Sequence, residues 1–154
     1  MRKNMRFLLI VFGVLAFAFI VRVTIQNSQV PELGVKDGKL TEISSKPNNV
    51  STQTDDPDKK VATLPFKSSK KSTMTALKQA VASYGNGKIE AEDADYLYVV
   101  FTTSLMHYHD DVEFWLDEKA QRVHYRSSSR AGYSDMGLNR QRYNDIAALY
   151  EAIE

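Results

Sequence analysis

Arginine and hydroxyl side chains are concentrated in one segment near the C-terminus, residues 126–142. Four arginines, five hydroxyl side chains and two glycines lie there, between a strand-like run and a helix-like run. The arginine side chain presents a planar fork of donors that suits a carboxylate or a phosphate, and glycine lets a partner approach the main chain closely. The segment is therefore suited either to bind an anion or to pair with the protein's own carboxylates.

Four acidic residues, at positions 110, 111, 113 and 135, match the four arginines in number. This balance favours an internal ion-pair network over a ligand site. Arg140 and Arg142 fall in the first turn of a predicted helix, where the helix dipole disfavours positive charge and a negative group is expected nearby. A bound anion would supply that charge through the free N–H groups of the same turn. The residues predicted to form the ligand-binding site or ion-pair network are Asp110, Asp111, Glu113, Arg126, Ser127, Ser129, Arg130, Tyr133, Ser134, Asp135, Asn139 and Arg140.

Residue types used in nucleophilic and metal chemistry also occur near this segment, but neither pattern predicts a site. A serine nucleophile needs a base that a third group orients, and an extended strand would hold His124 and Ser128 several ångströms apart. His107 and His109, followed by two aspartates, have the alternate spacing of metal ligands on a strand. Histidines beside a strand end are, however, more often packed or solvent-exposed than liganded. We therefore predict no catalytic residue, no metal ligand and no cofactor.

Hydrophobic periodicity predicts an α+β domain over residues 72–154. Ser72 is expected to cap a helix that ends at Gly85, and Asn139 is expected to cap the last helix. The element order αββββα predicts a single small domain, in which a four-stranded antiparallel sheet carries helices on one face. Aromatic and β-branched runs predict strands at 89–92, 96–103, 111–116 and 121–128, and the last helix is predicted at 140–153.

A four-residue loop at 117–120 sets the predicted register of the last two strands. Apolar side chains then face one another on one side of the sheet, and acids face bases on the other side. Cross-strand pairs of this kind each contribute roughly 0.2 to 1 kcal/mol, and a one-residue slip would exchange the two faces. The predicted pairs are Leu116 with Gln121, Phe114 with Val123, Val112 with Tyr125, Trp115 with Arg122, Glu113 with His124 and Asp111 with Arg126.

The N-terminal sequence predicts a membrane anchor. No polar side chain interrupts residues 7–21, and extension to residue 25 brings a helix close to the roughly 30 Å of the hydrocarbon core. Residues 1–6 form a basic n-region, whereas only Arg22 follows the apolar run closely. The positive-inside rule then predicts a cytoplasmic N-terminus, a single pass through the cell membrane at 7–25 and an extracytoplasmic domain, periplasmic in a Gram-negative cell.

The alternative to an anchor is a cleaved signal peptide. The Ala-Phe-Ala sequence that ends at Ala18 fits the small-x-small pattern of a cleavage site, and cleavage there would release a secreted domain. The apolar run continues past that site. This continuation favours an uncleaved signal anchor.

Composition changes between residues 26 and 71, where Ser, Thr, Asn, Lys and Asp dominate and four prolines occur. Few large apolar residues lie there, which predicts an irregular tether, part of it packed on the domain. The four basic residues up to Arg22 leave 16 of the chain's 20 Lys and Arg against 19 Asp and Glu. A net acidic remainder argues against nucleic-acid binding. The absence of cysteine excludes disulfides, thiolate metal sites and a cysteine nucleophile.

Two ordered patterns resemble the DUF1499 family, a group named for its unknown function. They are Asp-Asp-Val-Glu-Phe at 110–114 and Arg-Ser-Ser-Ser-Arg-x-Gly-Tyr-Ser-Asp-x-Gly-x-Asn-Arg at 126–140. Residues 33–53 resemble the leading segment of that family, so that the resemblance covers roughly 33–154 and moves part of the tether into the folded unit. The two cysteines usual in the leading segment align with Ile43 and Asn49, which implies an optional bridge lost as a pair. The resemblance implies an exported or membrane-associated protein and no established reaction.

These features predict a membrane-anchored, extracytoplasmic DUF1499-type domain that acts as a non-enzymatic binding or envelope-associated module. Its polar surface would combine the acids at 110–113 with residues 126–140, and its partners would be the membrane through residues 7–25 and an envelope protein or small anion. The alternative is a hydrolase or transferase acting on an anionic or acylated envelope substrate, for which a deep pocket at the arginines would be expected. A purely structural subunit of a membrane complex is the third possibility.

Overall fold

The computed structural model describes residues 2–104 and 106–154. Within these described residues, three helices and eight strands form an α+β fold, which confirms the predicted class, and the strands pair antiparallel. The helices are α1 (Arg2–Ser28), α2 (Lys70–Tyr84) and α3 (Leu138–Glu151). The strands are β1 (Val35–Lys36), β2 (Lys39–Leu40), β3 (Asn49–Ser51), β4 (Leu64–Pro65), β5 (Gly87–Glu92), β6 (Tyr96–Thr102), β7 (His109–Asp117) and β8 (Arg122–Ser129).

Helix α1 is a single apolar helix that projects from the folded domain. Its stretch Asn4–Ser28 is long and apolar enough to cross a membrane, a property of length and composition that signal sequences share. At 1.5 Å per residue its 27 residues span about 40 Å. Most of its large side chains, from Phe7 to Ile25, are exposed, so the helix buries little of its surface against the rest of the chain.

The main sheet has six strands, not the four that periodicity predicted. Strands β3, β8, β7, β6 and β5 follow one another across it, and β4 pairs with the same strand β8 as β3 does. Strands β1 and β2 form a separate hairpin. Both added strands are only two or three residues long and include Asn, Ser and Pro. Such short segments show no alternation of their own, and they are strands because β8 supplies the hydrogen-bond ladder.

Residues 26–71 are therefore not an irregular tether throughout. Besides four short strands, this region contributes Val50, Val61 and Leu64 to the hydrophobic core. These apolar residues are widely spaced in the sequence, so the composition of the region conceals them. The resemblance of residues 33–53 to the DUF1499 family places this region in the folded unit, whereas composition alone predicts an irregular tether.

The hairpin of β7 and β8 has a register two residues away from the predicted one. Phe114 lies opposite Tyr125 and Trp115 lies opposite His124. Asp117 pairs with Arg122, so the loop is 118–121 and not 117–120. The Asp117 carboxylate accepts the N–H groups of residues 119 and 120 at 3.0 Å and so extends the strand by one residue before the turn. A two-residue shift keeps every side chain on its predicted face.

Both C-terminal helices pack on the same face of the sheet. Leu77 of α2 and Ile146 and Tyr150 of α3 are buried in one cluster with Phe114 and Tyr125. Helix α2 begins at Lys70, because Ser69 is its N-cap and Ser72 forms the other half of a capping box. The predicted N-cap, Ser72, therefore lies three residues after the observed N-cap, Ser69. Asn139 does not cap α3, because the cap position is the left-handed Gly137.

Gly87 provides a test of the packing at the outer edge of the sheet. A Cβ atom there would lie 2.7 Å from Cε1 of the buried Phe101 ring, in a backbone conformation that other residues adopt. We predict that Gly87→Ala lowers the free energy of unfolding of the full-length protein in detergent by about 1 to 3 kcal/mol. Urea titration followed by Trp115 fluorescence measures this loss. Lys88→Ala at the next, exposed position is the control, and equal losses for both variants would contradict the prediction.

Candidate functional site

Alternation along β7 and β8 divides the predicted site residues between the two faces of the sheet. Asp110 and Ser127 point to the face that carries α2 and α3, whereas Asp111, Glu113 and Arg126 point to the opposite face. The predicted residues do not form one polar surface. They form two networks, separated by the sheet, and most of their members are buried.

The network under α3 is centred on Arg142. Its Nη2 donates to Asp110 Oδ2 at 2.5 Å, and its Nη1 donates to Asn139 Oδ1 at 2.8 Å. The Ser127 hydroxyl also donates to Asn139 Oδ1. The guanidinium carbon lies 4.9 Å from the centre of the Phe101 ring, where a cation and an aromatic face attract. Every charged group here is at least 98% buried, so this network is part of the core.

Asn139 connects this network to distant parts of the chain. Its Nδ2 donates to the Asn48 carbonyl and to Ser129 Oγ, both at 3.0 Å, and to Asp135 Oδ2 at 2.7 Å. The same Asp135 oxygen accepts the Asn139 backbone N–H at 2.7 Å. Asp135 therefore satisfies a free donor of the first turn of α3, a role that the sequence had suggested for Asn139. Asn139 itself is buried and holds the loop before β3 against α3.

The network on the opposite face includes a buried glutamate. Glu113 Oε2 accepts Arg126 Nη1 at 3.1 Å, and its Oε1 accepts the Tyr96 hydroxyl and the Gly34 N–H, both at 2.8 Å. Burial raises the pKa of Glu113, and the adjacent Arg126 opposes that shift. Because Gly34 donates directly to the carboxylate, the segment before β1 covers this site and separates it from solvent.

Arg130 joins the same face of the sheet to helix α1. Its Nε and Nη2 donate to the Asp111 carboxylate at 2.9 and 2.7 Å, and Nη2 also donates to the Tyr98 hydroxyl at 2.9 Å. Its Nη1 donates to the backbone carbonyl of Asn27 at 2.7 Å, in the last turn of α1. The hydrogen bond with Asp111 raises the pKa of Arg130. A cation at the carboxyl end of a helix is also favoured by the helix dipole.

The Asn27 side chain makes a second connection between α1 and the domain. Its Nδ2 donates to the His107 carbonyl at 2.7 Å, and its Oδ1 accepts the His109 N–H at 3.1 Å. Val23, one turn earlier, is buried like Asn27. The end of the apolar helix is thus held by backbone and side-chain hydrogen bonds at once, and α1 leaves the domain in a defined direction.

Three of the predicted residues lie outside both networks. Arg140 donates to the backbone carbonyls of Asp58 and Lys60 at 2.8 and 3.1 Å, so the counter-charge expected beside it is not a carboxylate. Tyr133 is 72% exposed, and Ser134 is exposed with its hydroxyl accepting the Met136 N–H at 3.2 Å. The loop between β8 and α3 therefore presents an accessible surface.

Several residues of the networks were absent from the predicted set. Arg142 lies in the first turn of the predicted last helix, and its spacing from Asn139 is that of one helical face. Tyr96 and Tyr98 alternate along β6, which indicates one shared face. The role of Asn27 cannot be predicted from a sequence pattern, because it depends on contact with residues about 80 positions later in the chain.

In the described residues, neither His107 nor His109 lies in a cluster of side chains that could bind a metal ion. Within the described ranges, 2–104 and 106–154, no group of three or more His, Asp or Glu side chains is placed to hold a metal ion. His109 Nδ1 instead lies 3.4 Å from Arg130 Nη1.

Residues 39–149 match the family model described as "Protein of unknown function (DUF1499)". The chain belongs to this family. The match spans both predicted motifs, so Asp110, Asp111, Arg130 and Arg142 all lie within the DUF1499 domain, while α1 and Asn27 precede it. No curated protein and no solved structure matches the chain.

Arg142 and Arg140 form a matched pair for testing the inner network of the DUF1499 domain. Arg142→Gln would leave Asp110 buried without its counter-charge, which typically costs about 3 to 5 kcal/mol. Arg140→Gln removes only hydrogen bonds to carbonyls near the surface, with an expected cost of about 1 kcal/mol or less. Urea unfolding of the full-length protein in detergent measures both losses. The assignment fails if the Arg140 variant is the less stable of the two.

Proposed function

We propose that this protein is a single-pass, membrane-anchored DUF1499 module with an extracytoplasmic domain, and that it acts by binding and not by catalysis. The observation that carries the proposal is the contact of Arg130 with both Asp111 and the end of α1. This contact holds the folded domain directly against the end of the apolar helix. A helix that spans a membrane would then keep the domain close to the membrane surface.

Charge around α1 supports the proposed orientation. Arg2, Lys3 and Arg6 precede the apolar run, whereas Arg22 is the basic residue that closely follows it. The side of the membrane with more Lys and Arg near the helix end is the cytoplasmic side. The N-terminus would then be cytoplasmic, and the DUF1499 domain would be on the outer side.

Burial of the charged networks supports a binding role over the hydrolase or transferase alternative. The Ser127 hydroxyl is fully buried and donates to Asn139, so it is not accessible to a substrate. Arg126 and Arg142 are each paired with a buried carboxylate. These groups stabilise the fold, and the accessible part of the predicted site is the loop that carries Tyr133 and Ser134. We propose this loop as the partner-binding surface.

Topology and processing of the full-length protein test the anchoring. We predict that a C-terminal alkaline phosphatase fusion is active, because that enzyme folds on the extracytoplasmic side. We also predict that the membrane-extracted protein has the intact mass of the whole chain. An inactive fusion would reverse the proposed orientation, and a mass that begins after Ala18 would show a cleaved signal peptide.

Arg130→Gln tests the attachment of the domain to α1. Loss of the charged contacts should free the Asn27 region and increase backbone hydrogen exchange at His109, whose N–H donates to the Asn27 side chain. Hydrogen-exchange mass spectrometry of the full-length protein in detergent measures this change, with Arg140→Gln as the control. Unchanged protection in the Arg130 variant would mean that Arg130 does not hold the helix.

A further inference from the structure

A cavity of about 280 Å³, with a mostly apolar lining and two basic side chains, lies where α1 meets the loop between β8 and α3. Residues from four separate parts of the chain line it. They include Phe19, Arg22 and Gln26 of α1, Lys46 before β3, Tyr108 before β7 and Tyr133 after β8. The cavity therefore exists only because α1 is docked on the domain.

The position of the cavity along α1 sets its depth in a membrane. This step rests on the proposed function, in which α1 spans a membrane. Phe19 is within the apolar run, and Arg22 is the first charged residue after it. An arginine at this position extends its side chain to the headgroup region while its stem stays in hydrocarbon. The cavity would then open at the level of the lipid headgroups of the outer leaflet.

Arg22 and Lys46 bring two unpaired positive charges to this level. Both are exposed, and in the described part of the chain neither has a carboxylate oxygen within 4.0 Å. Arg126, Arg130 and Arg142, in contrast, each pair with a buried acid. The two cations at the cavity are thus available for an external anion.

The remaining lining residues match a group that is charged at one end and apolar at the other. Phe19, in the apolar run before Arg22, is exposed toward the bilayer side, whereas Val23 is a buried apolar side chain on the domain side. Tyr108 and the exposed Tyr133 are aromatic side chains with a polar tip, a type that concentrates at membrane–water interfaces. Gln26 adds an amide that can donate to a phosphate oxygen.

We propose that this cavity binds the phosphate-bearing headgroup of an anionic phospholipid from the membrane that α1 spans. Arg22 and Lys46 bind the phosphate from two sides, and the acyl chains remain in the bilayer beside Phe19. The lipid would join α1 to the loop that carries Tyr133. It would act as a second attachment of the domain to the membrane, next to the protein contact made by Arg130.

Native mass spectrometry of the full-length protein tests the lipid site. The protein is reconstituted in vesicles of phosphatidylcholine with phosphatidylglycerol, extracted, and analysed for the lipid that it retains. We expect retained phosphatidylglycerol to exceed its share in the vesicles. Arg22→Gln with Lys46→Gln should lower this preference by on the order of tenfold, because each basic group near an anionic surface contributes appreciably to binding.

The control is Lys71→Gln with Lys119→Gln, which removes the same charge at the other end of the sheet, near the exposed contact of Lys70 with Glu118. The site is supported if the control variant still retains phosphatidylglycerol preferentially and the Arg22 and Lys46 variant does not. Equal loss in both variants, or no preference in the wild type, overturns it. Competition by inorganic phosphate that removes the preference would show a free-anion site instead. If the double variant is unfolded by circular dichroism, Lys46→Gln alone carries the comparison.

Flotation of the same vesicles separates this inference from the proposed function. Wild-type protein and both double variants should float with pure phosphatidylcholine vesicles, because α1 anchors them without an anionic lipid. Failure of the wild type to float would overturn the anchoring and the lipid site with it. Flotation without any lipid preference would overturn the lipid site and leave the anchoring intact.

Discussion

A carboxylate that is buried without a partner lowers the stability of a protein by several kcal/mol. Strand β7 buries three carboxylates, those of Asp110, Asp111 and Glu113. Each one meets an arginine from a different place in the chain: α3, the loop after β8, and β8 itself. A guanidinium must arrive within hydrogen-bond distance of its carboxylate, so each pair restricts how its element lies on the sheet. The positions of α3 and of the β8–α3 loop follow from this requirement.

Strand alternation gives the two sides of β7 different roles. On the inner side, the Asp110 pair and Asn139 close the core between α3, β8 and the loop before β3. On the outer side, the Asp111 pair extends to the end of α1, and the Glu113 site binds the backbone of Gly34. One strand thus stabilises the domain on one face and attaches the N-terminal region on the other.

Much of the fold could be predicted from the sequence, because its long elements are periodic. Strands β5 to β8 and helices α2 and α3 were predicted within a few residues of their observed ends. Strands β3 and β4 were missed, since two or three residues show no period and their pairing depends on β8. The hairpin register was wrong by two residues because the Asp117 side chain supports the turn one residue later than the predicted loop.

The sequence by itself determined the apolar N-terminal run, the family, and the match in number between the acids at 110, 111, 113 and 135 and the four arginines of residues 126–142. It also determined the faces of β7 and β8, because side chains alternate whatever the register. Only the tertiary structure decided which acid meets which arginine, and it alone brought Asn27, Asn48 and Gly34 to residues about 80 to 90 positions away. Periodicity specifies which face a side chain occupies, but contact between distant segments depends on how whole elements pack.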